Sequence, residues 1–269
     1  PITLEDLTTV KDGKGTLEVK IGAYAAMEIT VYQPTGLSEL YIVSDDPDDE
    51  GRDYVDESKA HVTTGSVTLV SGDGTVTYEG DLSQIKARGN STFEYYNKKA
   101  YQIKLDPKGD LLNNGEEVKT WILLANYADA TLMHDKLTKD LAAALGMDYT
   151  ASCDWVNLYY DGEYRGVYLL TEKNSIGSTS VDITDMEEIY EDLNPGYGDN
   201  ISVSIGRNYY DQEYQYTEGL TDPDDITGGY LLELNHSFWN EASGFKTKQG
   251  VAFNVKSPEW CSENAMIYI

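Results

Sequence analysis

Over its first 80 residues the chain swaps apolar for polar positions with a period of two. "TLEVKIG", "AMEITVY" and "ELYIVS" alternate or run apolar between Gly, Pro and Asp turns. Successive side chains of a strand point to opposite faces, so this pattern predicts strands with one face buried. "SVTLV" and "TVTYEG" flank "SGDG" and predict a hairpin. Downstream, "TWILLANY" predicts a short buried strand, and Asp161-Gly162 inside "DWVNLYYDGEYRGVYLLTEK" predicts a tight hairpin. "GGYLLEL" and "GVAFNVK" return to strands.

A helical period appears in "ATLMHDKLTKDLAAALG". Leu132, Met133, Leu137, Leu141 and Leu145 fall on one face, with Asp129 as cap and Gly146 as stop. "TDMEEIYEDL" predicts a shorter helix at the start of an acidic, Tyr-, Gly- and Asn-rich stretch from 184 to 227. In "SPEWCSENAMIYI", Ser257 is placed to cap a helix with Pro258 at its first position. Met266, Ile267 and Ile269 arrive as the sequence stops, which reads as a fragment of a longer chain.

Charge narrows the partners. The 269 residues carry 47 acidic and 20 basic groups, a net −27. Such a field opposes phosphate backbones and anionic lipid, so neither nucleic acid nor membrane is expected as a partner. No stretch is apolar for long enough to span a bilayer, and the sequence opens on Pro1 with no signal peptide. A mature secreted or cell-surface protein, or a trimmed chain, fits. Cys153 and Cys261 are the only cysteines, and sequence leaves open whether they pair.

The chemistry concentrates in "IKARGNSTFEYYNKKAYQIKL", residues 85–105. Spacing alone leaves three readings: a surface hairpin edged with lysines, a glycosylation acceptor at Asn90-Ser91-Thr92, or a loop whose amides and lysine receive phosphate. A second stretch, "DDPDDEGRDYVDE", sets Asp46, Asp48, Glu50, Gly51 and Glu57 at the spacing of an EF-hand loop. Glu50 is long for its slot, Asp53 stands where an aliphatic residue belongs, and a strand precedes the loop. A solvated acidic loop is the first reading there and a calcium site the alternative. His61, His134 and His236 are scattered in unlike contexts, which argues against a zinc cluster.

"IKARGNSTF", "KKAYQIKL", "WILLANYADATLMHDKLTKDLAAALG", "VNLYYDGEYRGVYLLTEK", "VDI" and "GGYLLEL" follow one another in order. This succession resembles the CotH family of spore-coat-type atypical protein kinases, which also occurs in secreted and cellulosome-associated bacterial proteins. The resemblance implies an α+β fold: a kinase-like amino-terminal lobe of mainly antiparallel strands and few helices, with the carboxy-terminal lobe cut short. It divides the chain into a strand-rich extension at 1–80 and a CotH-like region at 81–269.

The resemblance also implies ATP and magnesium as cofactors. Lys99 is then the strand lysine for the nucleotide phosphates, sharing a face with Tyr101, Ile103 and Leu105, while Lys98 points outward and Lys104 is a rival. Asp135 or Asp140 supplies the acidic partner, Arg88 contacts phosphate or braces the loop, and Glu172 ends a strand at a hinge. Phe93 stands where the family usually has Trp, and His134-Asp135 where it usually has Arg-Asn. The family's Trp-Asp-x-Asp pattern is missing, and "DPDD" at 222–225 reads as a turn rather than a substitute. The complete protein is therefore expected to phosphorylate a protein hydroxyl, and this chain alone to be inactive. The alternative is a non-catalytic module that binds carbohydrate or a protein of an extracellular assembly.

Overall fold

Seven strands close into a barrel in the first part of the chain. The structure is a computed structural model; it describes the backbone of strands at 9–11, 14–21 and 24–32, and residues 36–178, 180–199, 202–235 and 241–269. His236 lies outside the described residues. The chain divides into two units, Pro1–Lys173 and Asn174–Ile269.

In the first unit, β1 (Thr9–Lys11), β2 (Lys14–Ile21) and β3 (Tyr24–Tyr32) form an antiparallel sheet of their own. The barrel is built from β4 (Ser38–Ser44), β5 (Thr63–Val70), β6 (Val76–Arg88), β7 (Ala100–Gly109), β8 (Val118–Leu124), β9 (Cys153–Tyr160) and β10 (Glu163–Glu172). Around the barrel they run β10-β8-β7-β6-β5-β4-β9, and β9 pairs with β10 to close the ring. All neighbours are antiparallel except β4 and β9, which pair in parallel.

The two-residue period explains the interior. Leu40 and Ile42, Leu82 and Ile85, Tyr101, Ile103 and Leu105, and Trp121 and Leu123 are buried in one cluster. Val156, Leu158, Tyr160, Tyr168 and Leu170 complete it from β9 and β10. A closed sheet of about this size is just wide enough for its own side chains to fill. Closure also removes the unpaired edges that an open sheet would leave.

One carboxylate ties the parallel seam. Asp161 and Gly162, at φ 48° and 78°, turn the β9–β10 hairpin with both residues in the left-handed region. The Asp161 side chain accepts from the Ser44 amide at 2.7 Å, the Ser44 hydroxyl at 3.1 Å and the Arg52 amide at 2.8 Å. It thus joins the end of β4 to the start of α1 (Arg52–Glu57). Gly51 permits this approach: a Cβ there would lie 2.2 Å from the Pro47 carbonyl oxygen and 2.9 Å from an Asp161 oxygen.

The second unit holds the antiparallel sheet β11-β12-β14-β15-β13. Its strands are β11 (Val203–Arg207), β12 (Glu213–Thr217), β13 (Leu231–Leu234), β14 (Gly244–Lys246) and β15 (Ala252–Ser257). Its helices are α4 (Met186–Leu193) and α5 (Glu263–Tyr268). Tyr214, Val255, Cys261, Ala265 and Met266 form its core. Asp222, from the acidic run, accepts from the Tyr190 hydroxyl at 2.8 Å and from Ser262, so it serves this core.

These findings correct the expected α+β kinase-like lobe. The described chain is mostly β, a closed barrel and a five-stranded sheet, with five short helices. The reason is visible in α3 (His134–Ala144), the longest helix, which buries none of its residues. Leu137, Leu141 and Leu145 are 52%, 58% and 74% exposed, so the amphipathic period predicts the helix but not a helical layer on the sheet. The carboxy-terminal helix also starts later than expected. Ser257 still pairs with Leu231 in the sheet, and Ser262 is the cap, accepting from the Ala265 amide at 3.1 Å. Both cysteines are free thiols. Among the described residues no helix is long and apolar enough to cross a membrane.

Asp161→Asn keeps the turn residue's tolerance of positive φ but removes one acceptor oxygen from the seam. It should lower stability in urea by about 1–3 kcal/mol, the cost of leaving a buried donor unpaired. An unchanged midpoint would show that the seam does not depend on this carboxylate.

Candidate functional site

The ladder between β8 and β10 runs from Glu172–Trp121 to Leu169–Leu124 and stops. Past that point the carbonyls of Ala125 and Val167 need other donors, and the Lys98 ammonium supplies both. It donates to Ala125 at 3.0 Å and Val167 at 2.5 Å, and lies 4.2 Å from the centre of the Tyr168 ring. Burial, reinforced by the nearby Arg165 guanidinium, pulls its pKa down to about 8.

Lys98 borders a cavity of about 320 Å³ beside the start of β7 and the end of β8, where Ala100 and Leu124 line it. Arg88, the last residue of β6, lines the same cavity. Its guanidinium is half-buried and its pKa is lowered by desolvation. Among the described residues no carboxylate pairs with Arg88 or Lys98. The loop between them is shaped by Gly89, at φ 100°, where a Cβ would lie 2.1 Å from the Thr92 hydroxyl oxygen. Thr92 lies in α2 (Ser91–Tyr95).

The remaining wall follows β8. Asp129 accepts from the Thr131 hydroxyl at 2.7 Å, the Thr131 amide at 2.9 Å and the His134 amide at 2.9 Å. These bonds, led by that from the Thr131 side chain, hold its pKa down to about 2. They also fix the start of α3, which brings His134 and Asp135 to the cavity. Asp135 has no partner among the described residues.

The residues singled out in the sequence therefore separate. Arg88 and Asp135 meet at the cavity, joined by Lys98. Lys99 does not line it; its ammonium donates to the Phe93 carbonyl at 2.5 Å and sits 4.5 Å from the Phe93 ring centre. Lys99 precedes β7, and its ammonium is held at Phe93, away from the cavity lining. Asp140 is turned to Lys136, at 2.7 and 2.9 Å. Glu172 is buried beside Asn114 and Tyr149, at 3.4 and 3.3 Å, with its pKa raised by burial. It stands three residues beyond Leu169, about 10 Å along the strand. Tyr96, Asn126 and Tyr127 also line the cavity, and sequence reading passed over them. The adjacent aromatics in "FEYYNKK" were the available signal.

The acidic loop is organised by Asp161. Asp46, Asp48, Glu50 and Glu57 all face solvent, and Asp46 accepts from the Asp49 amide at 3.2 Å. Among the described residues no three His, Cys, Asp or Glu side chains gather to hold a metal ion. Gly51 sits close against Asp161, which accepts from the Arg52 amide that follows it.

A family model described as CotH kinase protein matches residues 85–241. The chain belongs to the CotH kinase family. No curated protein matches it. The CotH match opens at Ile85, three residues before Arg88, and takes in the whole cavity loop, β8 and α3. The staves β4 and β5, which precede the CotH match, belong to the same barrel.

Lys98 should titrate near pH 8, against about 10.4 for an ordinary lysine. Between those values the unfolded chain holds the extra proton, so this group's contribution makes stability rise with pH across that window and fall as pH drops through 8. Competitive labelling with acetic anhydride and peptide mapping would show Lys98 gaining reactivity with a midpoint near 8. A midpoint above 10 would show that the ammonium is not desolvated.

Proposed function

We propose that this CotH-family region binds the phosphates of ATP in the cavity between β7 and β8, with Arg88 and Lys98 as the cationic contacts. The observation that carries this is the pairing of two half-buried cations, without a carboxylate partner, on one cavity of a chain with net charge −27. Holding such charges away from water is unfavourable unless an anion answers them. A guanidinium offers a planar fork to phosphate oxygens, and an ammonium a point charge. Lys98 is already anchored by two carbonyls, so phosphate meets a lysine that need not be ordered on binding.

Asp135 at the rim is a candidate for magnesium. That ion takes one or two carboxylates and completes its shell from phosphate and water, so a single free carboxylate fits. In the complete protein the bound ATP would give its γ-phosphate to a protein Ser or Thr hydroxyl, in a secreted or cell-surface setting. The rival, a non-catalytic module for carbohydrate or protein, is favoured by Tyr209 and Tyr210, adjacent rings 94% and 71% exposed on the β11–β12 turn. Two rings on one turn are a narrower platform than a carbohydrate face needs.

Titration calorimetry with Mg-ATP tests the proposal. Arg88→Ala and Lys98→Met should each weaken binding roughly 10- to 100-fold, the worth of a charge-assisted hydrogen bond, and Lys99→Ala by less than about threefold. Because Lys98 loses its proton above about 8, wild-type affinity should fall between pH 7 and 9, and the Lys98→Met protein should lack that fall. Binding that survives both Arg88→Ala and Lys98→Met would place the nucleotide elsewhere.

A further inference from the structure

The cavity holds more than its cations. Tyr96 and Tyr127 both line it, with ring centroids 5.2 Å apart and planes tilted by 41°. Each is tied by the backbone to the lysine anchor: Tyr96 stands two residues before Lys98, and Tyr127 two after Ala125, whose carbonyl Lys98 grips. Tyr127 is 55% exposed and Tyr96 is the more covered ring, so Tyr127 offers a ring face and Tyr96 braces it. Among the described residues neither hydroxyl has a hydrogen-bond partner. A braced, exposed ring beside an anion site is the pattern of a stacking platform, and base–aromatic stacking accepts any base because every base has a π-face.

A side-chain amide lines the same cavity. Asn126, between Ala125 and Tyr127, lines the cavity at φ 46°, and its side-chain amide has no partner among the described residues. A primary amide carries both a carbonyl acceptor and an N–H₂ donor, and rotation about its last bond exchanges them. It can therefore answer the amino group of adenine or the carbonyl of guanine. Leu124, Ala125 and Ala128 line the cavity with apolar side chains, and the Thr92 hydroxyl and His134 imidazole, also on it, can each donate or accept a hydrogen bond.

We propose that Tyr127, braced by Tyr96, is the base-stacking platform of this site, and that the site takes purine nucleoside triphosphates without distinguishing adenine from guanine. This rests on the phosphate reading of Arg88 and Lys98. The test is calorimetric titration of the full chain, with magnesium, by ATP, GTP and ribose 5-triphosphate, which keeps the sugar and phosphates but lacks the base. Wild type should bind ATP and GTP within about threefold of each other, and both about tenfold or more tighter than the abasic ligand, as one stacked base allows. Tyr127→Leu should bring both nucleotides down to the abasic affinity and leave that affinity unchanged. Tyr127→Phe, which retains the ring, should behave as wild type.

The proposal fails if ATP binds no tighter than ribose 5-triphosphate, if Tyr127→Leu weakens the abasic ligand as much as ATP, or if ATP is preferred to GTP by more than about thirtyfold. In those outcomes the triphosphate still binds, and the phosphate reading stands alone. If neither nucleotide nor the abasic triphosphate binds, the phosphate reading falls and the platform with it.

Discussion

Closing a sheet on itself fixes where its ladders must end, and everything at the cavity follows from one such ending. β8 and β10 part after Leu124 and Leu169, leaving the Ala125 and Val167 carbonyls without ladder donors. An unpaired buried carbonyl is unfavourable, and Lys98 meets two at once. The lysine is thereby held with its charge half out of water, which is what depresses its pKa. Barrel geometry, backbone satisfaction and the electrostatic character of the cavity are one arrangement.

The surrounding charge makes that arrangement distinctive. Several other cations are answered by carboxylates: Arg52 by Asp53 and Glu163, Arg165 by Asp56 and Glu163, Arg207 by Asp211 and Glu213, Lys256 by Glu233 and Glu241. These mostly exposed pairs contribute little to stability individually. Arg88 and Lys98 share their cavity with Ala100, Leu124, two tyrosine rings and Asp135, yet among the described residues no carboxylate pairs with either. Asp129, which borders the same space, has its oxygens committed to Thr131 and His134.

Local periodicity was legible throughout the barrel. Tyr101, Ile103 and Leu105, alternate residues of β7, fill the core as their spacing requires, and Asp161-Gly162 turns the β9–β10 hairpin as its residue types require. What the alternation could not show was which lysine reaches the cavity. Lys99 was grouped with Tyr101, yet its ammonium is held at Phe93, and the neighbouring Lys98 lines the cavity. Closure itself was illegible for a different reason. The β4–β9 pairing is parallel, so no hairpin turn announces it, and its Ser44–Asp161 lock joins residues 117 positions apart. The helix at 134–144 was readable from its period, but amphipathicity does not say whether the apolar side is covered.

That same distance carries a consequence for how the chain must be made. A ribosome delivers β4 long before β9, and until the later strand arrives the first stave has an unpaired edge and nothing beside Leu40 and Ile42 to complete their shelter. β5 through β8 can assemble by successive antiparallel neighbours as they emerge, but the ring cannot shut until the β9–β10 hairpin is out. The nascent protein therefore passes through an open, curled sheet with one sticky margin. Contacts between residues so distant in sequence are slow to form, and such a margin invites pairing with another chain. The topology of the barrel thus puts its exposure to wrong pairing at the stage of synthesis, however favourable its finished core.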